Sequence, residues 1–542
     1  MSEPSAFERR SIAVATGFLQ SAVILDDQAY LEEEPKEAIT KLPPPSPYAG
    51  AESHEEELPS SVVASATQGN NPVPTKTLVH AFARYGIICA VLDPEEDSEL
   101  WLSLHPDITI LDWYIRDETG ERARSLLRQL IEHERKSVPH QVRLMLVYTT
   151  EQDLLDIREK LSQLLKGIDN DVTSLEFGAT GLMWGGWHFI VLAKPGTDVA
   201  ENLSECEIDY EDLPERAVEG FARAVGGLLP NVAIEGLAAV RRNTHRLLQR
   251  FSSGLDPAYL THRALLPNPA DSEEHLIGFL GSELTAILED EGVGSVSRAA
   301  AVEDWVSQQG IEFPLKIKCD DLQLVIQDFS RMSSLLADGI ASHPLVSGLP
   351  DNDHKRLELV DKCRLKLTRL LGGKHKTDDA RFAELTTFRP HYGAIAPKLT
   401  LGSILRDESN DKYWLCIQPK CDSIRLKEKR AFPFLPLTKG QHFDICKVYD
   451  DGQRLKLLRE RKPHGIRTYT FWPDETGVVR AALEGKSFVF TTTSRKKLQW
   501  IGQLRDSVAQ DVAHKIGTSL SRVGVNPSEW QRLSLPRHLR ET

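Results

Sequence analysis

DITILDW, residues 107–113, is a run of aliphatic and β-branched side chains that stops at an acid before a tryptophan. Three other stretches share its build: SAVILDD at 21–27, RLMLVYTT at 143–150 and FIVLAKPGT at 189–197. Each is a continuous apolar run closed by polar residues, the pattern of a strand covered on both faces in a parallel sheet. Between them stand segments of helical period, KTLVHAFARYG at 76–86, ERARSLLRQLIEHERK at 121–136 and EQDLLDIREKLSQLLK at 151–166, with a further strand-like run IICAVL at 87–92. Strand and helix in alternation predict an N-terminal α/β domain, a doubly wound parallel sheet of five strands.

Open sheets of this kind bind ligands beyond the carboxyl ends of their strands, so the residues that close each run matter most. The first run closes on Asp26 and Asp27, the third on Asp112, the fourth on Thr149 and Thr150, and the fifth on Lys194 and Pro195. Clustered carboxylates suit a hard cation such as Mg²⁺, which takes oxygen ligands. A lysine and a hydroxyl beside them supply positive charge and a hydrogen bond for a phosphoryl group. The plainer alternative is that Asp27 and Thr150 cap the helices that follow.

Two acids, one acid, a hydroxyl and Lys-Pro, in that order at the ends of separate strands, resembles a receiver domain of the response-regulator kind, covering residues 12 to 200 or thereabouts. Its divergence most resembles the response receiver domains of bacterial conflict and anti-phage systems. The resemblance implies a receiver or flavodoxin-like fold, with Asp112 as phosphoacceptor and Mg²⁺ held by Asp26, Asp27 and Asp112. Of these, Asp27 and Asp112 would bind directly and Asp26 through water, with the Tyr114 carbonyl completing the set. Lys194 would meet the phosphoryl group and Thr149, or Thr150 beside it, would respond to it. The Lys194–Pro195 bond would be cis, and a histidine-kinase-type or ATPase protein would be the partner. The sequence departs from the family at two insertions, 31–77 and the stretch carrying FGATGLMWGGW at 177–187, and at Val191, where receivers usually place an aromatic shortly before the lysine.

The remainder reads as further domains. The first domain is expected over 1–204, with residues 31–77, rich in Glu, Pro and Ser, as a disordered insertion. Residues 205–388 read as an all-helical middle domain, in which Leu237, Val240, Leu247, Leu248 and Phe251 share one face. Residues 389–495 read as a small β-rich domain, and 496–542, beginning KKLQWIGQL and closed by Gly524, as a C-terminal helical segment.

Charge divides the chain, with net −24 over residues 1–400 and net +10 from 401 onward, within a total of −14. The basic region makes nucleic acid a candidate partner, because Arg425, Lys427, Lys429, Arg430, Arg459, Arg461, Lys462 and Arg467 interleave with Phe432, Phe434, Tyr469, Phe471 and Trp472. Aromatics at strand spacing are more often core. Cys416, Cys421 and Cys446 with His391 lack the close paired spacing of a zinc site, and seven cysteines without pairing read as reduced thiols. His245, on a basic helix, is weighed as a surface histidine rather than a phosphorelay residue. The helix around Ala513, Gly517 and Val523 ends too soon for a helix-turn-helix. No stretch reaches the length of a membrane helix, and the opening MSEPSAFERRS is unlike a secretory signal, so a cytoplasmic address is expected. A signalling phosphoacceptor and not an enzyme is therefore the leading expectation. A pseudo-receiver docking scaffold and a Mg²⁺-dependent phosphohydrolase or nuclease stand as alternatives.

Overall fold

The computed structural model describes residues 3–27, 74–94, 102, 104–137, 143–169, 175–269, 271–319, 322–348, 354–392, 395–440, 444–449, 453–459 and 465–520. Of the expected insertion, residues 31–73 lie outside these, and a helix begins at Thr75. The chain divides into two compact units, one formed by Met1–His262 with Ser272–Gln308 and the other by Arg263–Asp271 with Gln309–Thr542.

The first unit is built on a seven-stranded sheet. Strands β1 (Ser21–Leu25), β2 (Ile88–Leu92), β3 (Ile108–Leu111), β4 (Arg143–Thr149), β5 (Leu175–Phe177), β6 (Gly181–Trp184) and β7 (Trp187–Ala193) lie in the order β2-β1-β3-β4-β7-β6-β5. The five strands from β2 to β7 are parallel, and β6 and β5 add to the edge antiparallel. The stretch FGATGLMWGGW is thus a sheet extension, its turns carried by Gly178 at φ +65° and Gly185 at φ +60°. Every residue of β3 and β4 is buried. That is why these runs are continuously apolar rather than alternating.

Helices cover both faces, as the alternation predicts: α1 (Ala6–Phe18), α2 (Thr75–Arg84), α3 (Glu121–Ser137), α4 (Leu154–Ile168), α5 (Leu213–Val225) and α6 (Leu228–Arg242). The first starts at a capping box, in which the Ser5 hydroxyl accepts the Glu8 N–H at 3.1 Å and the Glu8 carboxylate accepts the Ser5 N–H at 2.8 Å.

The helical region differs in detail from its reading. Leu237, Leu248 and Phe251, expected on a packed face, are 57%, 63% and 40% exposed. The buried residues of α6 are Asn231, Ile234, Gly236, Ala238 and Ala239, three of them small enough to let other helices come close. The helical run also breaks at Asn243, so that Leu247, Leu248 and Phe251 no longer continue the face of Leu237.

The second unit carries a hairpin, β8 (Leu315–Cys319) and β9 (Leu322–Ile326), inside the stretch read as all-helical. Its main body is a ten-stranded sheet of β10 (Phe388–Arg389), β11 (Ser403–Asp407), β12 (Lys412–Cys416), β13 (Arg430–Lys439), β14 (Ile445–Val448), β15 (Arg454–Arg459), β16 (Arg467–Phe471), β17 (Ala482–Glu484), β18 (Ser487–Thr491) and β19 (Lys497–Leu504). Side chains of alternate parity enter two cores, with Ile404, Tyr413 and Leu415 on one face and Leu405, Trp414 and Cys416 on the other.

Residues 497–504, expected to open a long helix, are instead β19, paired with β11 and β18. Their Leu, Trp and Ile gain more from two flanking strands than helical period alone supplies. The helix starts only at Asp506 and runs to Leu520; Val523, Gly524 and the closing residues lie outside the described ones. Among the described residues no helix is long and apolar enough to cross a membrane.

Candidate functional site

The pairing register decides which residues meet. Leu25 pairs with Leu111, Leu111 with Val147, and Thr149 with Ala193, so Asp26, Asp112, Thr149 and Lys194 all stand at one end of the sheet. Backbone hydrogen bonds carry the alignment one residue further: the Asp112 N–H donates to the Leu25 carbonyl at 3.0 Å and the Lys194 N–H to that of Thr149 at 2.7 Å.

At this end the Lys194 ammonium donates to Asp112 Oδ2 at 2.9 Å and to Asp26 Oδ2 at 3.2 Å, with all three side chains almost wholly buried. Asp27 completes the group: ligand oxygens of Asp26, Asp27 and Asp112 all lie within 4.8 Å of one another. Three carboxylates thus share a pocket with one ammonium. Burial pushes the Asp112 carboxyl above its usual range, the nearby Asp26 adds to the rise, and Lys194 works against it. Asp27 is also raised, chiefly by burial, against the Arg116 N–H that donates to its Oδ2 at 2.9 Å. Burial pulls Lys194 down, but Asp112 and Asp26 outweigh it, and the ammonium holds its proton above the ordinary lysine value.

The fit to a divalent cation is tested by the oxygens. Asp27 Oδ1 is buried with no hydrogen-bond partner among the described residues, a costly position for a carboxylate oxygen unless a cation or water meets it. The donor set is oxygen only, as Mg²⁺ requires. The residues present fit the ion.

Several side chains around the pocket were not singled out from the sequence. Arg116, at φ +53°, donates its N–H to Asp27 and pairs through its guanidinium with Asp93 at 2.7 Å. Asp93 closes the run IICAVL, so the strand-end rule that found Asp112 applies to it as well. The Tyr114 hydroxyl donates to the Glu151 carboxylate, tying the segment after β3 to the start of α4; burial first and then that bond drive the Tyr114 phenol up, and the bond holds Glu151 down against the burial that would raise it. Thr149 is buried and its hydroxyl accepts the Glu151 N–H at 3.0 Å, whereas Thr150 is exposed.

One expectation carried by the resemblance fails. The Lys194–Pro195 bond is not cis. Lys194, Pro195, Gly196 and Thr197 form a tight turn, with the Thr197 N–H donating to the Lys194 carbonyl at 3.3 Å and Gly196 at φ +82°. Pro followed by Gly suits the two central positions of a type II turn with a trans proline.

Residues 18–198 match the family model for the response receiver domain. This segment is a response receiver domain. It makes up about a third of the chain and gives the N-terminal part a response-regulator-like signalling role. No curated protein and no solved structure matches the chain. The receiver keeps the parallel strand order 2-1-3-4-7 at its centre and adds the hairpin of β5 and β6 beside its lysine strand.

The other candidates do not assemble. Among the described residues the three aspartates are the group of metal-binding side chains, and the cysteines form none: Cys416 is buried, its thiol pushed up to about 12 by burial, while Cys421 is exposed. His391 packs edge-on against Phe488 and Trp500. His245 is exposed on the short helix Thr244–Arg250. Of the aromatics set among basic residues, Phe432, Phe434 and Phe471 are fully buried core and Tyr469 packs partly buried against it, while Trp472, 64% exposed, is on the surface; Arg461 and Lys462 lie outside the described residues.

Proposed function

We propose that the receiver domain accepts a phosphoryl group on Asp112 from a histidine-kinase-type partner and passes the signal to the helical and β-rich parts of the chain. The observation that carries this reading is the Lys194 ammonium bridging Asp112 and Asp26 beside a third carboxylate, Asp27, whose Oδ1 has no partner. Asp27 and Asp112 would hold Mg²⁺ directly and Asp26 through water, and the ion would neutralise the charge of the incoming phosphoryl oxygens. One Asp112 oxygen attacks phosphorus as the P–N bond of the donor phosphohistidine breaks; the imidazole nitrogen keeps the electron pair and takes a proton. Lys194 then exchanges its Asp112 oxygen for a phosphoryl oxygen. The Thr149 hydroxyl, which accepts from Glu151, still has its own hydrogen to donate to the new group.

On this reading the domain is labelled once and does not turn over a substrate. Acetyl phosphate or beryllofluoride with Mg²⁺ should bind one per chain and be lost in Asp112→Asn. Sustained hydrolysis of a generic phosphoester would instead make the site a metal-dependent hydrolase. No binding by the unmodified protein would leave a docking scaffold. The partner, and a role in bacterial defence, are tested by co-purification: a kinase-type ATPase that phosphorylates Asp112 supports the assignment, and its absence from phosphotransfer assays counts against it.

A further inference from the structure

The chain does not leave the pocket at Lys194. After the turn at Pro195 and Gly196 and one short 3₁₀ helix, Glu201–Cys206, it comes back along the edge of β7 that β6 leaves open beyond Val191. There Glu207 bridges Ala193 in parallel, the Ile208 N–H donates to the Ala193 carbonyl at 3.0 Å, and the Glu207 carboxylate accepts the Gly196 N–H at 2.7 Å. From β4 the Tyr148 hydroxyl donates to the Ile208 carbonyl at 2.6 Å. These bonds fix the segment that carries Tyr210, whose ring meets that of Tyr148 edge-on with centroids 5.8 Å apart.

Tyr210 is half-buried, but its hydroxyl oxygen is fully so and has no hydrogen-bond partner among the described residues. The polar end of a buried tyrosine ordinarily finds a partner, and one left without it is costly. The charges that act on this phenol are those of the acceptor pocket. Burial raises it above its ordinary value, Lys194 opposes the rise, and Asp26 and Asp112 add to it. The phenol therefore keeps its hydrogen and can donate it. A phosphoryl group on Asp112 would bring three strong acceptor oxygens into the same pocket.

We infer that Tyr210 is a further binding residue of this pocket, its hydroxyl donating to a phosphoryl oxygen carried by Asp112. The inference rests on the reading of Asp112 as phosphoacceptor. Tyr210 lies beyond residues 18–198, the segment that matches the receiver family, and just ahead of α5. That helix lies on the sheet, where Gly220 leaves room for Ile190, and stacks Phe221 on Phe18 of α1 at 5.8 Å. A bond made at Tyr210 thus ties the state of Asp112 to the first helix after the receiver.

The test is Tyr210→Phe in the full chain, which removes the hydroxyl alone. Beryllofluoride with Mg²⁺ should bind the variant about tenfold more weakly than the unmodified chain, the loss expected for a hydrogen bond to a charged group. Without ligand the variant should melt at the same temperature or higher, because the hydroxyl removed has no partner to lose. Equal affinity in the two proteins overturns this inference and leaves the phosphoacceptor reading standing, whereas no binding by the unmodified chain overturns both. A variant that melts lower or does not fold overturns it too, since the free protein would then hold the hydroxyl. In the unmodified chain, amide exchange over 207–213 should slow when beryllofluoride binds; exchange indifferent to the ligand refutes the contact.

Discussion

The Lys194 ammonium lies 2.9 Å from the Asp112 carboxylate, both side chains buried at the end of the sheet, although 82 residues separate them in the chain. Removing one partner of a buried ion pair leaves an uncompensated charge, which costs more than the pair itself contributes. Lys194→Met keeps the length of the side chain and strands Asp26 and Asp112 without their cation. A loss of about 3–5 kcal/mol is expected by denaturant titration, partly restored by Mg²⁺. An unchanged unfolding midpoint would contradict the coupling.

The pocket also sets a pH dependence. Asp112 and Asp27 titrate higher in the folded protein than the ordinary 3.8, so the folded state holds protons that the unfolded chain has released. Their contribution to stability is complete below 3.8 and is lost as pH rises through the raised values. In EDTA the receiver should therefore lose stability as pH climbs from 3.8 toward neutrality, and Asp112→Asn should flatten the slope. Magnesium binds the ionised form and opposes the loss, by about 1.4 kcal/mol for each tenfold excess over its dissociation constant. Lys194 behaves with the same sign at the alkaline end: its contribution is present below 10.5 and disappears as pH passes its elevated folded value. Thermal melts across pH, with and without the ion, check both.

Gly120 shapes the segment after Asp112. It sits at φ +72°, and a β-carbon there would fall within the indole of the buried Trp113. Gly120→Ala should cost about 2–4 kcal/mol, combining left-handed backbone strain with overpacking. Gly86, also at positive φ but with open space around it, is the control, and Gly86→Ala should cost about 1 kcal/mol through backbone strain alone. Equal effects of the two substitutions would refute the packing argument.

Thr149 and Thr150 are neighbours in sequence with different environments. Thr149→Ala removes a buried acceptor from the Glu151 N–H and should destabilise by about 1 kcal/mol, while exposed Thr150→Ala should change little. If Thr149 is the responder, its alanine variant should still be labelled at Asp112 but lose the change in amide exchange over 149–154 that follows labelling. The same loss in Thr150→Ala would move the role to that residue.

The acidic pocket was legible because strand ends are a local property. An apolar run that stops at a polar residue marks both the strand and its end, so Asp26, Asp27, Asp112, Thr149 and Lys194 could be set on one edge from the order of runs alone. The turn after Lys194 was not read correctly: the family pattern suggested a cis Lys194–Pro195 bond, whereas the chain makes a Pro-Gly turn with that bond trans. Other features had no local sign. Arg116 reaches Asp27 and Asp93 only after β1, β2 and β3 align, and Tyr114 reaches Glu151 only after β3 and β4 do. Residues 497–504 carry a period compatible with a helix, and pairing with β11 and β18 made them a strand.

Burial of the helical face separates most sharply what each level determined. The amino-acid sequence by itself determined that 231–251 is helical, apart from the break at Asn243, and that four apolar runs end in the residues of a receiver pocket. Only the tertiary structure decided that α6 buries Gly236, Ala238 and Ala239 while leaving Leu237 exposed, and that Leu248 and Phe251 beyond it are exposed as well. The reason is physical: helix and strand propensity act over a few neighbouring residues, whereas burial depends on which surface arrives from elsewhere, as Lys194 does for Asp26 across 168 residues.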